Sequence, residues 1–513
     1  MAVKLNENEN WSIMDADGNL VVKEEYAPDN LLSRIYDGDI YWVHSNDKYS
    51  LFSVKSPKKP LARTEYNHVT EFNEGKAFVS NTIEPIQLIN SSGEVIATLD
   101  KNIASVSKLQ DGMARYLTYS GDKSVFGFLD ENGKVAIKAE YVSATHFNEG
   151  LAIVKKSGEK NFLVIDKSGK RVGEIDGNVY DHISYFEEGK AKVRKGTDEY
   201  NSPIVYLNKH GKEVFSPIND ARFASSFLDG YAIITTQDYK DYIINEKGEA
   251  VIRKNKYNNL EALGDGLFLA RKNDKYGVID SEDNTVIDFD YDGGVSTRLG
   301  NKFILVEDNY GKLITPTGKE VKNSEFSHLS RIWFMSEVVF VDAKRIMEKF
   351  LEPITSDGYA TFKGMTTSAE IAPLTGVNID DISDYAYRIV GSESKINGCK
   401  ANITYAFDDH VKTELTHVEE TNDGWFTQRR TVSDGYVWSK EAKLSHISQS
   451  IKILFVSDGE LLKRIAKEIL EKKGFKQEGN TFYSVKSKVE LETEGDGTEK
   501  CCEITLRYVP VRE

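Results

Sequence analysis

Cysteine is scarce in these 513 residues, and Cys399, Cys501 and Cys502 all fall in the last quarter. An odd number with two neighbours makes no disulfide framework. A reducing, cytoplasmic setting is therefore the expectation, with an exported or lipoprotein form shorn of its leader as the alternative. No apolar run is long enough to span a bilayer, and the opening MAVKLNENENWSIMD has no apolar signal core. Positive charge is also short. Lysine and arginine number 66 against 81 acids, a net charge of −15 without a basic stripe, so a nucleic-acid backbone is not an expected partner. The nine histidines are scattered, and neither His-Glu-x-x-His nor a pair of Cys-x-x-Cys motifs occurs, so no metal centre is expected. Every Gly-Lys is followed by Val, Ala, Arg, Glu or Leu, which leaves no G-x-x-x-x-G-K-[ST] phosphate loop. A G-x-S-x-G nucleophile turn is missing too, and no cofactor is implied.

What the chain does have is a repeat. Residues 125–154, VFGFLDENGKVAIKAEYVSATHFNEGLAIV, return in degraded form from about Trp11 to about Val321. Within the unit, a short apolar strand meets the turn Asp130-Glu131-Asn132-Gly133 and comes back as a second strand. Asp can accept from the backbone two residues on, and Gly tolerates the positive φ at which the chain reverses. A second turn, Asn148-Glu149-Gly150, then feeds the apolar run 151–154. The F-x-E-G-x-A element has eight candidate copies, with Gly at 38, 75, 112, 150, 189, 230, 266 and 300, whereas the hairpin can be counted nine times. A period near 37 residues means stacked supersecondary units, because one hairpin cannot bury its own apolar face. Consecutive apolar residues at 151–154, 162–165, 231–234, 267–270 and 303–306 predict strands covered on both faces. The expectation is a mainly β, propeller-like domain of about eight blades over 1–325, with an open β-solenoid as the alternative. One surplus hairpin is absorbed by an overlapping closure or by an open array.

At these residues the chain resembles the WG-repeat family of bacterial proteins, whose unit is similar to W-G-[YF]-I-D-x-x-G-K-x-V-I followed by F-x-E-G-L-A-x-V. The name-giving pair survives as aromatic-Gly at Phe126-Gly127, Tyr276-Gly277 and Tyr310-Gly311, while Trp11 is followed by Ser12. The resemblance implies a β-rich interaction scaffold and no reaction.

Near Glu325 the period stops, and 326–513 is expected to be a separate α+β domain. SEVVFVDAKRIMEKFLEPITSDGYATFKG from Ser336 and IKILFVSDGELLKRIAKEILEKKGFKQEG from Ile451 share one plan: apolar strand, capped amphipathic helix, Gly-aromatic exit. Leu462, Ile465, Ala466, Ile469 and Leu470 mark the buried helix face. CKANITYAF from Cys399 and CCEITLRYV from Cys501 also match, so a duplicated β-α-β module is predicted, with halves at about 336–410 and 451–510. A hairpin insert fills the interval of about 411–450.

The turn aspartates do not make a calcium loop, since Asp15-Ala16-Asp17-Gly18-Asn19 places the glycine two positions early. A site would show as ionisable residues replacing apolar ones at equivalent repeat positions, and none is legible as a cluster. The expected function is a non-enzymatic protein–protein interaction scaffold. A small-ligand receptor or an enzyme, with its site in the repeat channel or the C-terminal module, is the alternative. Trp425, Arg429 and Trp438 in the insert stand outside the repeat logic and are the candidate partner contacts, since aromatic and Arg residues dominate interface energetics.

Overall fold

The computed structural model describes residues 1–6, 9–37, 39–62, 65–121, 123–253, 255–329 and 337–355, and then 388–390, 394–396, 399–407, 412–422, 427–438, 444–454, 459–479, 481–484, 487–496 and 501–510. The chain divides into two compact units, Met1–Thr118 with Ser124–Phe340, and Tyr119–Lys123 with Val341–Glu513.

The first unit is a succession of antiparallel sheet modules at 1–26, 31–66, 68–98, 105–141, 143–175, 180–218, 221–252, 259–291 and 293–326. The long strand Val135–Ala144 serves two of them, as the last strand of the fourth module and the first of the fifth. Inner strands are buried on consecutive residues, as in Trp11–Met14, Ile204–Leu207 and most of Lys76–Ser80, because each sheet is sandwiched between its neighbours. Fourth strands such as Val95–Thr98 are largely exposed.

Apolar clusters fill the interfaces in turn. One set joins the first and second modules through Trp11, Ile13, Tyr41 and Val43. Others join second to third, third to fourth, and so on round to eighth with ninth. The last cluster, with Met14, Ile304, Leu313 and Phe326, joins the ninth module back to the first. The succession is therefore cyclic, a propeller rather than an open solenoid.

Closure explains the unequal motif counts. The first module has no opening strand of its own; His328–Leu329 supplies it from the far end, pairing Val3 with Leu329 and Lys4 with His328. Nine hairpins thus meet eight F-x-E-G elements, because the first module is completed by a strand that lacks the motif.

Aromatic-Gly also acquires a cause. Opposite Gly127 the partner strand bulges, the register passing from Phe126↔Tyr141 to Phe128↔Ile137, and the same step recurs around Gly277 and Ser12. A Cβ at Gly127 would lie 2.6 Å from the Ile137 carbonyl and 2.7 Å from the Ala139 amide. At Gly127 the bulge leaves no room for a Cβ.

The expected join after Glu325 needs revision. The first unit runs on to Phe340, because His328–Leu329 closes the ring and Glu337–Val339 pairs antiparallel with Ser105–Ser107 of the fourth module. That pairing also alters the duplication. The leading strand of the first half belongs to a propeller sheet, whereas its counterpart Leu444–Leu454 lies in the second unit's sheet.

In the second unit, Asp342 caps helix α1, Ala343–Thr355, accepting the Arg345 amide at 3.0 Å. Helix α2, Gly459–Lys472, buries Leu462, Ala466, Ile469 and Leu470 and ends at Gly474, with φ +89°. The Phe475 amide then reaches back to the Leu470 carbonyl at 3.1 Å, the Gly-aromatic exit the sequence predicts. The two helices pack on each other. The sheet runs, all antiparallel, from Cys399–Phe407 with two short edge strands through Leu444–Leu454, Cys501–Pro510 and Ser487–Asp496 to Thr481–Tyr483 and Lys476–Glu478. Among the described residues no helix is long and apolar enough to cross a membrane.

Candidate functional site

The F-x-E-G element concentrates carboxylates on one face of the ring. Asn148 and Leu151 exchange both backbone hydrogen bonds at 3.0 Å around Glu149 and Gly150, whose φ values are +54° and +76°. This is a two-residue hairpin turn with both central residues left-handed. Asp111, Glu188, Asp229 and Asp265 adopt the same conformation before their glycines. The carboxylates reach forward: Glu74 accepts the Gly112 amide at 3.0 Å, Asp111 that of Gly150 at 2.5 Å, Glu149 that of Gly189 at 2.7 Å and Glu188 that of Gly230 at 2.8 Å. The acid in the motif therefore staples one repeat to the next at these four junctions. The hairpin turns act as caps in the same way, with Asp130 accepting from Asn132 and Lys134, and Asp15 from Asp17 and Asn19.

A further periodic position escaped the sequence reading. Thr70, Ser107, Thr145, Ser184 and Ser225, at or shortly after the ends of the first strands, accept the amides of Phe78, Arg115, Ile153, Lys192 and Ile233 at 2.9–3.0 Å. Its signal in the sequence is a Ser or Thr four residues before the motif's acid.

Directly after Thr70, Ser107 and Thr145 come Glu71, Lys108 and His146, and Arg34 follows Ser33, whose hydroxyl accepts the Trp42 amide in the same way at 2.9 Å, so the second to fifth modules set ionisable side chains in series. Glu71 pairs with Lys108 at 2.8 Å and lies 3.9 Å from Arg34. Arg115 stands where other copies carry Phe78, Ile153 and Ile233, and its guanidinium donates to the Ala144 carbonyl at 2.6 Å and to Glu337 at 2.5 Å. Lys192 occupies the matching place two modules on and donates to the Ala224 carbonyl at 2.6 Å. Burial, then nearby Arg115, takes His146 down to about 4, with Glu337 opposing. Burial and Arg194 lower Lys192 as well. The expectation of no ionisable cluster at equivalent positions is overturned here. Each charge looks ordinary in its own copy, and only alignment of the copies reveals the series.

On the opposite face, the link after Lys190–Lys195 and the turn after Tyr231–Thr236 converge on the start of Ala221–Ala224. The Arg222 guanidinium lies 5.3 Å from the Tyr200 ring centre, 5.5 Å from Phe223 and 4.9 Å from Tyr239. These three rings are 43%, 46% and 61% exposed. Tyr200 and Phe223 meet edge to face, and the Gln237 amide ties the Tyr200 carbonyl at 2.8 Å. Asp198 caps the loop through the Tyr200 and Asn201 amides, and its bonds with Asn201 and Tyr200 hold it at about 2. Three exposed rings and one guanidinium thus sit on a backbone fixed by hydrogen bonds.

Trp425 lies outside the described residues. Arg429 and Trp438 belong to strand Thr427–Trp438, which pairs with Lys412–Asn422 as the predicted hairpin and sets Arg429 opposite Glu420 and Trp438 opposite Lys412. Among the described residues, no group of three or more His, Cys, Asp or Glu is placed to hold a metal ion.

The cyclic stack of four-stranded meanders defines a β-propeller class, and its bulged aromatic-Gly strands and E-G staples define the repeat. Residues 126–159 and 243–276 match the WG containing repeat family. Among solved structures, Kluyveromyces lactis Hsv2 is similar at 9% identity over 49% of this chain and 93% of its own, with a TM-score of 0.31. The C-terminal WD40 domain of Sif2 is similar at 12% identity over 54% of this chain and 94% of its own, with a TM-score of 0.33. A protein of unknown function from Bacteroides caccae is similar at 15% identity over 44% and 94%, with a TM-score of 0.24. No curated protein matches the chain.

Proposed function

We propose that this protein is a non-enzymatic platform that binds another protein, and that the rim patch of Tyr200, Arg222, Phe223 and Tyr239 makes the contact. The observation that carries this reading is the exposure of three aromatic rings around one guanidinium. Exposed rings cost free energy in water unless a partner covers them, and Tyr and Arg are the residues that dominate interface energetics. The hairpin bearing Arg429 and Trp438 is a second contact proposal, on composition alone.

The test compares proteins retained from a lysate by the wild type, by Phe223→Ala/Tyr239→Ala and by Trp425→Ala/Trp438→Ala, all shown to melt alike. A partner lost with the first pair supports the rim patch, and one lost only with the second moves the contact to the hairpin. Retention by both variants removes both assignments. Substrate turnover by the purified protein would remove the non-enzymatic reading.

A further inference from the structure

The strand Glu337–Val339 is bound to the propeller in the way a peptide ligand would be. It pairs antiparallel with the free edge of Ser105–Ser107, in the register Ser105↔Val339, Val106↔Val338 and Ser107↔Glu337. The Phe340 amide donates to the Ala104 carbonyl at 2.8 Å, and the Ser80 hydroxyl donates to the Val339 carbonyl at 2.6 Å. Alternate side chains go opposite ways. Val338 and Phe340 enter the core between the third and fourth modules, beside Phe78, Leu88 and Val106. Glu337 meets the Ser105 hydroxyl at 2.6 Å and the Arg115 guanidinium at 2.5 Å.

The features that hold this strand are specific to its place in the ring. Arg115 replaces the apolar residue carried by the copies with Phe78, Ile153 and Ile233, and it sets a fixed positive charge against Glu337. Among the described residues no other first strand of the ring is paired on this edge by a segment from outside the repeats. A three-residue strand also makes few backbone bonds, so its side-chain reading has to supply much of the selectivity.

From this geometry we infer that the edge of Ser105–Ser107 is a strand-acceptor site for an extended partner segment of the pattern acidic–apolar–any–aromatic, which Glu337–Phe340 occupies in cis. The backbone edge supplies affinity by strand addition, Arg115 and Ser105 read the carboxylate, and the pockets of Val338 and Phe340 read the apolar positions. A tethered strand acts at an effective concentration of roughly millimolar, so a partner segment competes only when it is tighter or when the tether is drawn away. This site is independent of the rim patch and does not rest on it.

The probe is a fluorescent peptide of sequence SEVVFV, with SQVVFV as control, titrated into the full-length protein. Glu337→Lys sets like charge against Arg115, and Val338→Asp buries a carboxylate, so either variant releases the cis strand. Each should bind SEVVFV at least tenfold more tightly than the wild type does, and should lose at least tenfold with Arg115→Ala or with SQVVFV. Absence of saturable binding to release variants that still melt cooperatively overturns the proposal, as does binding indifferent to Arg115. A wild-type dimer that Glu337→Lys abolishes would make a second copy the occupant and overturn the partner reading. Should neither variant fold, a photo-crosslinking form of SEVVFV at millimolar concentration on the wild type must label 104–107 for the proposal to stand. Labelling elsewhere overturns it.

Discussion

The Glu149 carboxylate accepts the Gly189 amide of the next repeat at 2.7 Å, while Glu149 itself sits at φ +54°. A left-handed non-glycine residue costs about 1–2 kcal/mol. The position would favour Asn or Gly if the turn alone mattered. A charged acceptor that spans the module boundary offsets the cost, since hydrogen bonds to charged groups contribute about 1.5–3 kcal/mol net.

Glu149→Ala keeps the backbone cost and removes the acceptor, so it should lower unfolding free energy by about 1–2 kcal/mol in urea. Glu149→Asn relieves the turn while losing the staple and should fall closer to wild type. If the alanine variant matched wild type, the staple would contribute nothing to stability.

Two repeat glycines should respond differently. Gly150 has φ +76° and no atom within 4 Å of a built Cβ, so Gly150→Ala costs only the backbone strain of about 1–2 kcal/mol. Gly127→Ala drives a methyl against two backbone atoms of the facing bulge and should cost more, on the order of 3 kcal/mol or above. Thermal melts of the pair rank them directly, and the reverse order would contradict the bulge explanation.

Much of the propeller was legible because its determinants are local and repeat. Asp130 and Gly133 announce their turn, and Glu149 and Gly150 announce theirs. The ring count was not, because the strand His328–Leu329 completes the first module across more than three hundred residues of chain and carries no motif. The hairpin that joins Lys275–Asp280 to Thr285–Tyr291 shows the same limit at small scale, because Asp283 takes the turn glycine's place at φ +70°. The rim patch was hidden for a related reason. Tyr200, Arg222 and Tyr239 come from three separate segments, and each is unremarkable until the sheets bring their ends together.

Truncation tests the revised boundary. The fragment 1–340 keeps both the closing strand and Glu337–Val339, so it should melt cooperatively. The fragment 1–325 loses Phe326, buried in the cluster that joins the last module to the first, together with the strand partner of Val3. It should melt at a lower temperature or bind a hydrophobic dye. Equal melting of the two fragments would mean that closure contributes no stability.

Acid should loosen the ring at His146. Burial and the neighbouring Arg115 hold it at about 4, against an ordinary 6.5, with Lys108 acting in the same sense and Glu337 opposing. Between those values the unfolded chain binds a proton that the folded chain refuses. Stability is therefore full above about 6.5 and declines as pH falls towards 4. With allowance for partial exposure, the single group contributes a decline on the order of 2 kcal/mol. Carboxylates titrate in the lower part of this window too, so the useful quantity is the difference between wild type and His146→Gln. Urea midpoints at pH 7 and pH 4.5 should converge for the variant relative to wild type, and parallel losses in both would show that His146 is not the group responsible.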